Sequence, residues 1–313
     1  CQQAFTDLLL HSAARQQSVK MDIELLKPCC FTQLGKRDSQ EDNLYPTHTN
    51  TQTAFFVVCD GVGGREHGEL ASHLVCQTFE QNLSDEQCKV LRPNDILSLI
   101  EQSYHTLYNN RAICPSMATT LAFMAKTNEG MLLVHLGDSR IYQIRKGKGV
   151  IFQTKDHSLV NDLIDSGEIT MDRAIDHPQR NVITKCIFVT GNRNDYQTPS
   201  ITLIRDIQPH DIFMLCTDGV YSGFSNEKLS EILTSNESLE GKTKELADFC
   251  KNSCDNNTAY LVEVANVEER DDEVYNIQYT IDYGRQPICL HFLDFVREAA
   301  SFIKETLCSK QHA

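Results

Sequence analysis

The sequence predicts an α+β layered fold, and three features of its pattern lead there. Short apolar runs rich in β-branched and aromatic residues recur along the chain, at 55–59, 131–136, 212–216 and 258–264, too short for helices and suited to buried strands. Neighbouring strand candidates are joined by tight polar turns such as Thr127-Asn128-Glu129-Gly130 and Lys146-Gly147-Lys148-Gly149, which implies hairpins and antiparallel sheet. Helical stretches form separate groups between the strands, unlike the strict alternation of a Rossmann-type domain.

Along the chain, residues 1–20 read as a short helix or a leader, with Leu8, Leu9 and Leu10 as their one strong apolar cluster. The strand pattern starts near Ile23. Leu70, Leu74, Phe79 and Leu83 give one apolar helical face, and Ile96, Ile100, Tyr104 and Leu107 give another. Two further helices are expected at 225–233 and 242–250. There are no repeats and no low-complexity linker.

The 313 residues are 41% hydrophobic and 23% charged, ordinary for a globular protein with a buried core. Lys+Arg 29 against Asp+Glu 43 leaves −14, which argues against nucleic acid or an anionic membrane as partner, because both need a cationic face. The 13 cysteines are odd in number, scattered, and lie inside apolar runs such as Val58-Cys59 and Leu215-Cys216. That usage fits reduced thiols serving as small core residues, and with no readable targeting segment it gives a cytoplasmic expectation. Cys250 and Cys254 lie one helical turn apart, without a second pair at zinc-ligand spacing. No apolar run approaches the ~18 residues that a spanning helix requires.

Several apolar runs end in an acid. Asp60, Asp138, Asp218 and Asp255 stand at or near strand ends, and Glu41-Asp42 adds two more acids in what reads as a polar turn. Singly, each Asp is an ordinary turn former or helix cap. Together they invite convergence on one place, where burying carboxylates is costly without cationic compensation. Carboxylate-only ligation selects hard divalent cations, Mg²⁺ or Mn²⁺, over zinc. Two such ions roughly 3.5–4 Å apart can activate a shared water for attack on phosphorus.

In order along the chain stand Arg37-Asp38-Ser39-Gln40-Glu41-Asp42, Asp60-Gly61-Val62-Gly63-Gly64, Gly137-Asp138-Ser139-Arg140, Asp218-Gly219 and Asp255-Asn256-Asn257-Thr258. This ordered set closely resembles the metal-dependent Ser/Thr protein phosphatases of the PPM, or type 2C, family, especially the compact bacterial type. Asp156-His157-Ser158, 165–170 and 177–182 also resemble family signatures, and the resemblance spans about residues 23–264. It implies a four-layer αββα sandwich of two mainly antiparallel sheets flanked by helices. It also implies hydrolysis of phosphoserine and phosphothreonine in proteins by in-line attack of metal-activated water, without a phosphoenzyme.

Carried over residue by residue, the resemblance implies that Asp60 bridges two Mn²⁺ or Mg²⁺ ions, with the Gly61 carbonyl and Glu41 on one of them. Asp42 would stand close to that ion through water, and Asp218 and Asp255 would hold the other. Asp138 with Asp218 would bind a third, weaker ion. Arg37 would grip the substrate phosphate, where a planar guanidinium suits two phosphoryl oxygens, although outside its motif it would read as a surface arginine. Gly63-Gly64 would let backbone approach the site. A flap falls at about 159–176. The expected partners are phosphoprotein substrates, and the expected state is a monomer.

Some positions depart from the family pattern. Val62 stands where many eukaryotic relatives carry a histidine proposed as general acid. Gln40 replaces a frequent Asn, Ser116-Met117-Ala118-Thr119-Thr120 lacks the usual glycines before the paired threonines, and Cys254 replaces a common glycine. His67, His157 and His177 are expected to serve structural hydrogen bonds. The resulting plan is a leader or N-terminal helix at 1–22, a catalytic domain at 23–264 and a C-terminal extension at 265–313. In the extension, 268–273 reads as a solvated charge run, Tyr275, Ile277, Tyr279 and Ile281 as a half-buried strand, and Phe292, Val296, Ala299, Ile303 and Leu307 as one helix face. Packing on the core is the plainer role for this extension, and a regulatory contact through 274–308 the sharper one. Two rival functions are a phosphatase fold kept as an inactive interaction module, and a cysteine phosphatase built on the spacing of Cys59 and Arg65.

Overall fold

The computed structural model describes residues 20–62, 67–269 and 279–281. Its strands are β1 (Met21–Leu25), β2 (Cys29–Gln33), β3 (Asp42–Tyr45), β4 (Phe55–Asp60), β5 (Ala118–Thr119), β6 (Leu121–Thr127) and β7 (Gly130–Leu136). They continue as β8 (Arg140–Arg145), β9 (Gly149–Gln153), β10 (Ile187–Phe188), β11 (Ser200–Ile204), β12 (Ile212–Cys216), β13 (Asn257–Glu269) and β14 (Tyr279–Ile281). The helices are α1 (Gly68–Asn82), α2 (Asp85–Cys88), α3 (Pro93–Asn109), α4 (Leu159–Asp165), α5 (Met171–Ile175), α6 (Asp218–Tyr221), α7 (Asn226–Leu233) and α8 (Leu239–Cys250).

Two antiparallel sheets carry the architecture. One has the order β1-β13-β12-β8-β9 with β2 also on β13, and the other the order β14-β11-β7-β6-β4-β3. Successive strand residues point to opposite faces, and here both faces are buried, which is why the runs are continuously apolar rather than alternating. In β4, Phe56 and Val58 face the other sheet, where Phe213, Leu215, Tyr260 and Val262 meet them. Phe55, Val57 and Cys59 face outward onto α1 and α3 through Val75, Phe79, Ile96, Ile100 and Tyr104. In β12 the same alternation sends Met214 and Cys216 onto α7 and α8 through Leu229, Ile232, Leu233 and Leu246. The result is helix, sheet, sheet, helix, the expected αββα sandwich. Burying a large apolar side chain in such layers contributes about 1.5–3 kcal/mol.

The two expected hairpins are present, β6 to β7 and β8 to β9. The four expected helices are present as α1, α3, α7 and α8, with Ser225 and Ser238 capping the last two. Cys59, Cys76, Cys88, Cys216 and Cys250 are buried free thiols, as their apolar settings imply. Residues 1–19, Tyr275, Ile277 and the amphipathic stretch from Phe292 to Leu307 lie outside the described residues, while 279–281 pairs antiparallel with β11.

Two readings need correction. Asp42 is not in a polar turn: it opens β3 directly opposite Asp60, where strand pairing holds it buried. Asp218 stands two residues past the end of β12, near a strand end as expected, and also starts α6. Glu268 and Glu269 are not linker: β13 continues through them because β1 pairs along it, from Glu24 opposite Asn266 to Met21 opposite Glu269. Ending the chain after Ala265 should therefore strip β1 of most of its partner, whereas ending it after Arg270 keeps the ladder. At net values near 1 kcal/mol per hydrogen bond, urea unfolding should show the shorter chain less stable by about 2–4 kcal/mol.

Candidate active site

The ends of β4, β12 and β13 converge with the turns after β2 and β7, and that convergence brings the acids together. Asp60 ends β4, and its backbone is fixed from the neighbouring chain. Its N–H donates to Thr120 Oγ1 at 3.0 Å, and its carbonyl accepts from Thr120 N–H and Thr119 Oγ1, both at 2.8 Å. Thr120 is held in turn by Ser139, 2.7 Å away in the Asp138 turn. The paired threonines therefore do their work without the usual glycines before them.

Gly61 follows Asp60 and donates its N–H to the Glu41 carbonyl at 3.1 Å. A Cβ at Gly61 would stand 2.5 Å from the Gly68 carbonyl, so only glycine lets α1 begin this close to the site. Gly35, at φ +61, plays the same part in the turn after β2: a Cβ there would meet the Asp255 carbonyl at 2.1 Å. That close approach carries Arg37 to Asp255, where Arg37 Nη2 donates to Asp255 Oδ2 at 2.6 Å.

Asn256 holds the two ends of the chain together. Its Oδ1 accepts the Glu41 N–H at 2.8 Å, and its Nδ2 donates to the Leu34 and Ser39 carbonyls at 2.8 and 3.0 Å. Gln40, in place of the family's Asn, accepts the Asp42 N–H at 3.1 Å and donates to Thr32 at 3.0 Å. Asp42 is 4% exposed; Thr217 donates to its Oδ2 at 2.8 Å, while its Oδ1 is buried with no hydrogen-bond partner.

The electrostatics follow from this crowding. Burial first, then the Asp42, Asp218, Asp138 and Asp255 charges, push the Asp60 carboxyl far above the usual carboxylate range. Burial pushes Asp42 up to about 7, despite the hydrogen bond from Thr217. Asp138 rises to about 8 through burial and then Asp218, and Asp218 to about 6 through burial and then Asp255. Glu41 is raised by burial, offset in part by Arg37. A folded-state pKa above the unfolded one means that these groups favour folding less as pH rises through it. At neutral pH the buried cluster therefore keeps protons on part of its carboxyls, which divalent cations would displace.

Among the described residues, no three His, Cys, Asp or Glu side chains are already gathered as a finished metal shell. The donor set nevertheless fits hard divalent cations. It is all oxygen, it includes an orphaned buried carboxylate oxygen, and its mutual repulsion is what two such charges would relieve. Arg37, Glu41, Asp42, Asp60, Gly61, Asp138, Asp218 and Asp255 thus share one crevice, while Gly63, Gly64 and Arg65 lie outside the described residues. Cys59 is fully buried with its thiol pushed far up, first by burial, so it is not a usable nucleophile.

The three motif histidines are structural. His157 accepts the Gly137 N–H at Nδ1 (3.2 Å), which puts its proton on Nε2 toward Ser200 Oγ at 2.9 Å. His67 faces Glu69 at 3.1 Å, and His177 accepts the Gln179 N–H at 3.2 Å. The stretch expected to form a flap, 159–176, holds the short helices α4 and α5.

Comparison with known proteins points to a single family and fold. The family profile described as protein phosphatase 2C matches residues 34–251. Protein phosphatase PhpP of Streptococcus pneumoniae is 31% identical over 263 residues, covering 81% of this chain and 100% of that protein. The crystal structure of the Mycobacterium tuberculosis serine/threonine phosphatase PstP/Ppp superposes with TM-score 0.66 at 28% identity, covering 77% of this chain and 100% of the other. The catalytic domain of PstP in complex with 2 manganese ions shares the fold at TM-score 0.61 and 24% identity, over 78% of this chain and 100% of that one.

Sequence reasoning missed the role of Asn256, whose signal was only its place beside Asp255. Asn256→Ala should leave three backbone groups unpaired near the site. We expect a loss of about 2–4 kcal/mol in urea unfolding and a drop in phosphatase turnover, with Asn256→Asp intermediate because it keeps the acceptor for Glu41.

Proposed function

This chain belongs to the protein phosphatase 2C family and is a protein serine/threonine phosphatase, and from that premise we propose that its carboxylate crevice is a binuclear Mn²⁺ or Mg²⁺ centre. In this reading Glu41, Asp60, the Gly61 carbonyl, Asp218 and Asp255 hold two ions, Asp42 supports them, and Asp138 with Asp218 takes a third, weaker one. The observation that carries it is the cluster itself: acids from β3, β4, α6 and the turns before β8 and β13, their pKa values raised by burial first and by one another's charge second. When bound, the ions supply an activated water and neutralise charge growing on the phosphoryl group.

The chain's own residues do the rest. Arg37 is half-exposed and now gives its guanidinium to Asp255. Freed from that pair, its planar donors match two phosphoryl oxygens of phosphoserine or phosphothreonine and orient the phosphorus for in-line displacement. Thr119, Thr120 and Thr217 keep the backbone of Asp60 and the carboxylate of Asp42 from swinging away. No side chain takes up the phosphoryl group in this scheme, consistent with the buried state of Cys59. Leaving-group protonation falls to water or another group, since Val62 cannot supply it. The substrates proposed are phosphoproteins, with the chain acting as a monomer in the cytoplasm. Among the described residues no helix is long and apolar enough to cross a membrane.

EDTA should abolish release of phosphate from an aryl phosphate and from a phosphothreonine peptide, and Mn²⁺ should restore it. Asp60→Asn and Asp218→Asn should each remove metal-dependent turnover, while Cys59→Ser keeps it; near-normal rates in either Asn variant would break the assignment. Independently of turnover, Mn²⁺ should raise the thermal midpoint of the wild-type chain by binding the native state, and by less in Asp60→Asn. A protein that stays inert in millimolar Mn²⁺ while binding a partner would instead be an interaction module.

A further inference from the structure

Arg140 opens β8 two residues after Asp138. Its Nε and Nη2 donate to Asp156 Oδ1 and Oδ2 at 2.8 and 2.7 Å, and its Nη1 donates to the Tyr142 hydroxyl at 3.1 Å. The guanidinium carbon lies 3.6 Å from the centre of the Tyr221 ring. The Arg140 and Asp156 side chains are only 22% and 13% exposed, so the pair is shielded from most of the screening that weakens surface ion pairs.

Each partner belongs to a different functional segment. Tyr221 ends α6, the short helix that Asp218 begins. Asp156 leads into the flap: its carbonyl accepts from Asn161 Nδ2 within α4 at 2.8 Å. The next residue, His157, is stitched to the Asp138 turn by its N–H on the Gly137 carbonyl at 3.0 Å and by its ring nitrogen on the Gly137 N–H. Lys155 pairs with Asp165 at the far end of α4. The flap carries Met171 and Ile175, 68% and 65% exposed.

We infer that Arg140 is a positioning residue: it ties the Asp138 turn, the Asp218 helix and the root of the flap into one unit, so that the flap is held at a fixed place beside the phosphate-binding crevice. Bidentate pairing with Asp156 and stacking on Tyr221 both require a planar guanidinium, which a lysine ammonium does not offer. The consequence for activity rests on the reading given under Proposed function; the mechanical link does not.

The test uses Arg140→Lys, Asp156→Asn and the double variant in the full chain. Trypsin should cut the flap at Arg173, and the segment just after it at Arg180, about fivefold faster in each single variant, with cutting at the remote Lys89 unchanged, and the double variant should be no worse than the worse single one. KM for a phosphothreonine peptide should rise about tenfold with kcat little changed, while KM for a small aryl phosphate stays near wild type. Unchanged flap cleavage, equal acceleration at Lys89, or effects that multiply in the double variant would each overturn the inference. If the wild-type chain released no phosphate at all, the functional reading would fail while proteolysis still decided the role of Arg140.

Discussion

Carboxylates packed at the mouths of buried strands repel one another, and the segments around the crevice are arranged to bear that repulsion. Asp60 and Asp42 are held face to face by strand pairing, so neither can retreat without breaking the β3–β4 ladder. Hydroxyls and amides pin the backbone around them instead of neutralising them. Arg37 offsets part of the charge from one side and Arg140 from another, yet each is bound to a single acid. The layers of the sandwich supply the rigidity: a loose scaffold would let the acids drift apart and lower their energy. The capacity to take up divalent cations is thus built from an unfavourable arrangement that the core holds in place.

Much of this was legible in the sequence because each signal was local. The runs ending at Cys59, Leu136 and Cys216 are continuously apolar since both faces of each strand are covered, and their terminal acids mark where the strands leave the core. The hairpin turns and the helical faces of α1 and α3 are equally short-range. Other features depend on distant partners and leave no periodic trace. Asp42 is buried because Asp60 lies opposite, and a four-residue strand is too short for its alternation to stand out. Asn256 matters through carbonyls at Leu34 and Ser39, far away in the chain. The polar tail of β13 becomes strand only because β1 lies beside it.

The family resemblance and the geometry support each other at different levels. Family membership covers the ordered motifs and the fold, whereas the fit of individual side chains comes from hydrogen bonds that substitutions have rearranged. Gln40 spans from Asp42 to Thr32, and Ser253 accepts the Asp255 N–H at 3.3 Å beside the exposed Cys254. These local solutions keep the acids in register despite the altered residues.

β13 has one more bearing on how the molecule comes to exist. On a single edge it carries β2 along its first half and β1 along its second, so Cys29 waits for Leu261 and Met21 for Glu269. On the ribosome, the earliest strands emerge long before their template does. The first sheet must therefore close late, with β1 and β2 held unpaired until β13 has been made. Until β13 arrives, the turn bearing Arg37 and Glu41 has no Asn256 to hold it, so the acid cluster is assembled only once residues more than two hundred positions apart have met.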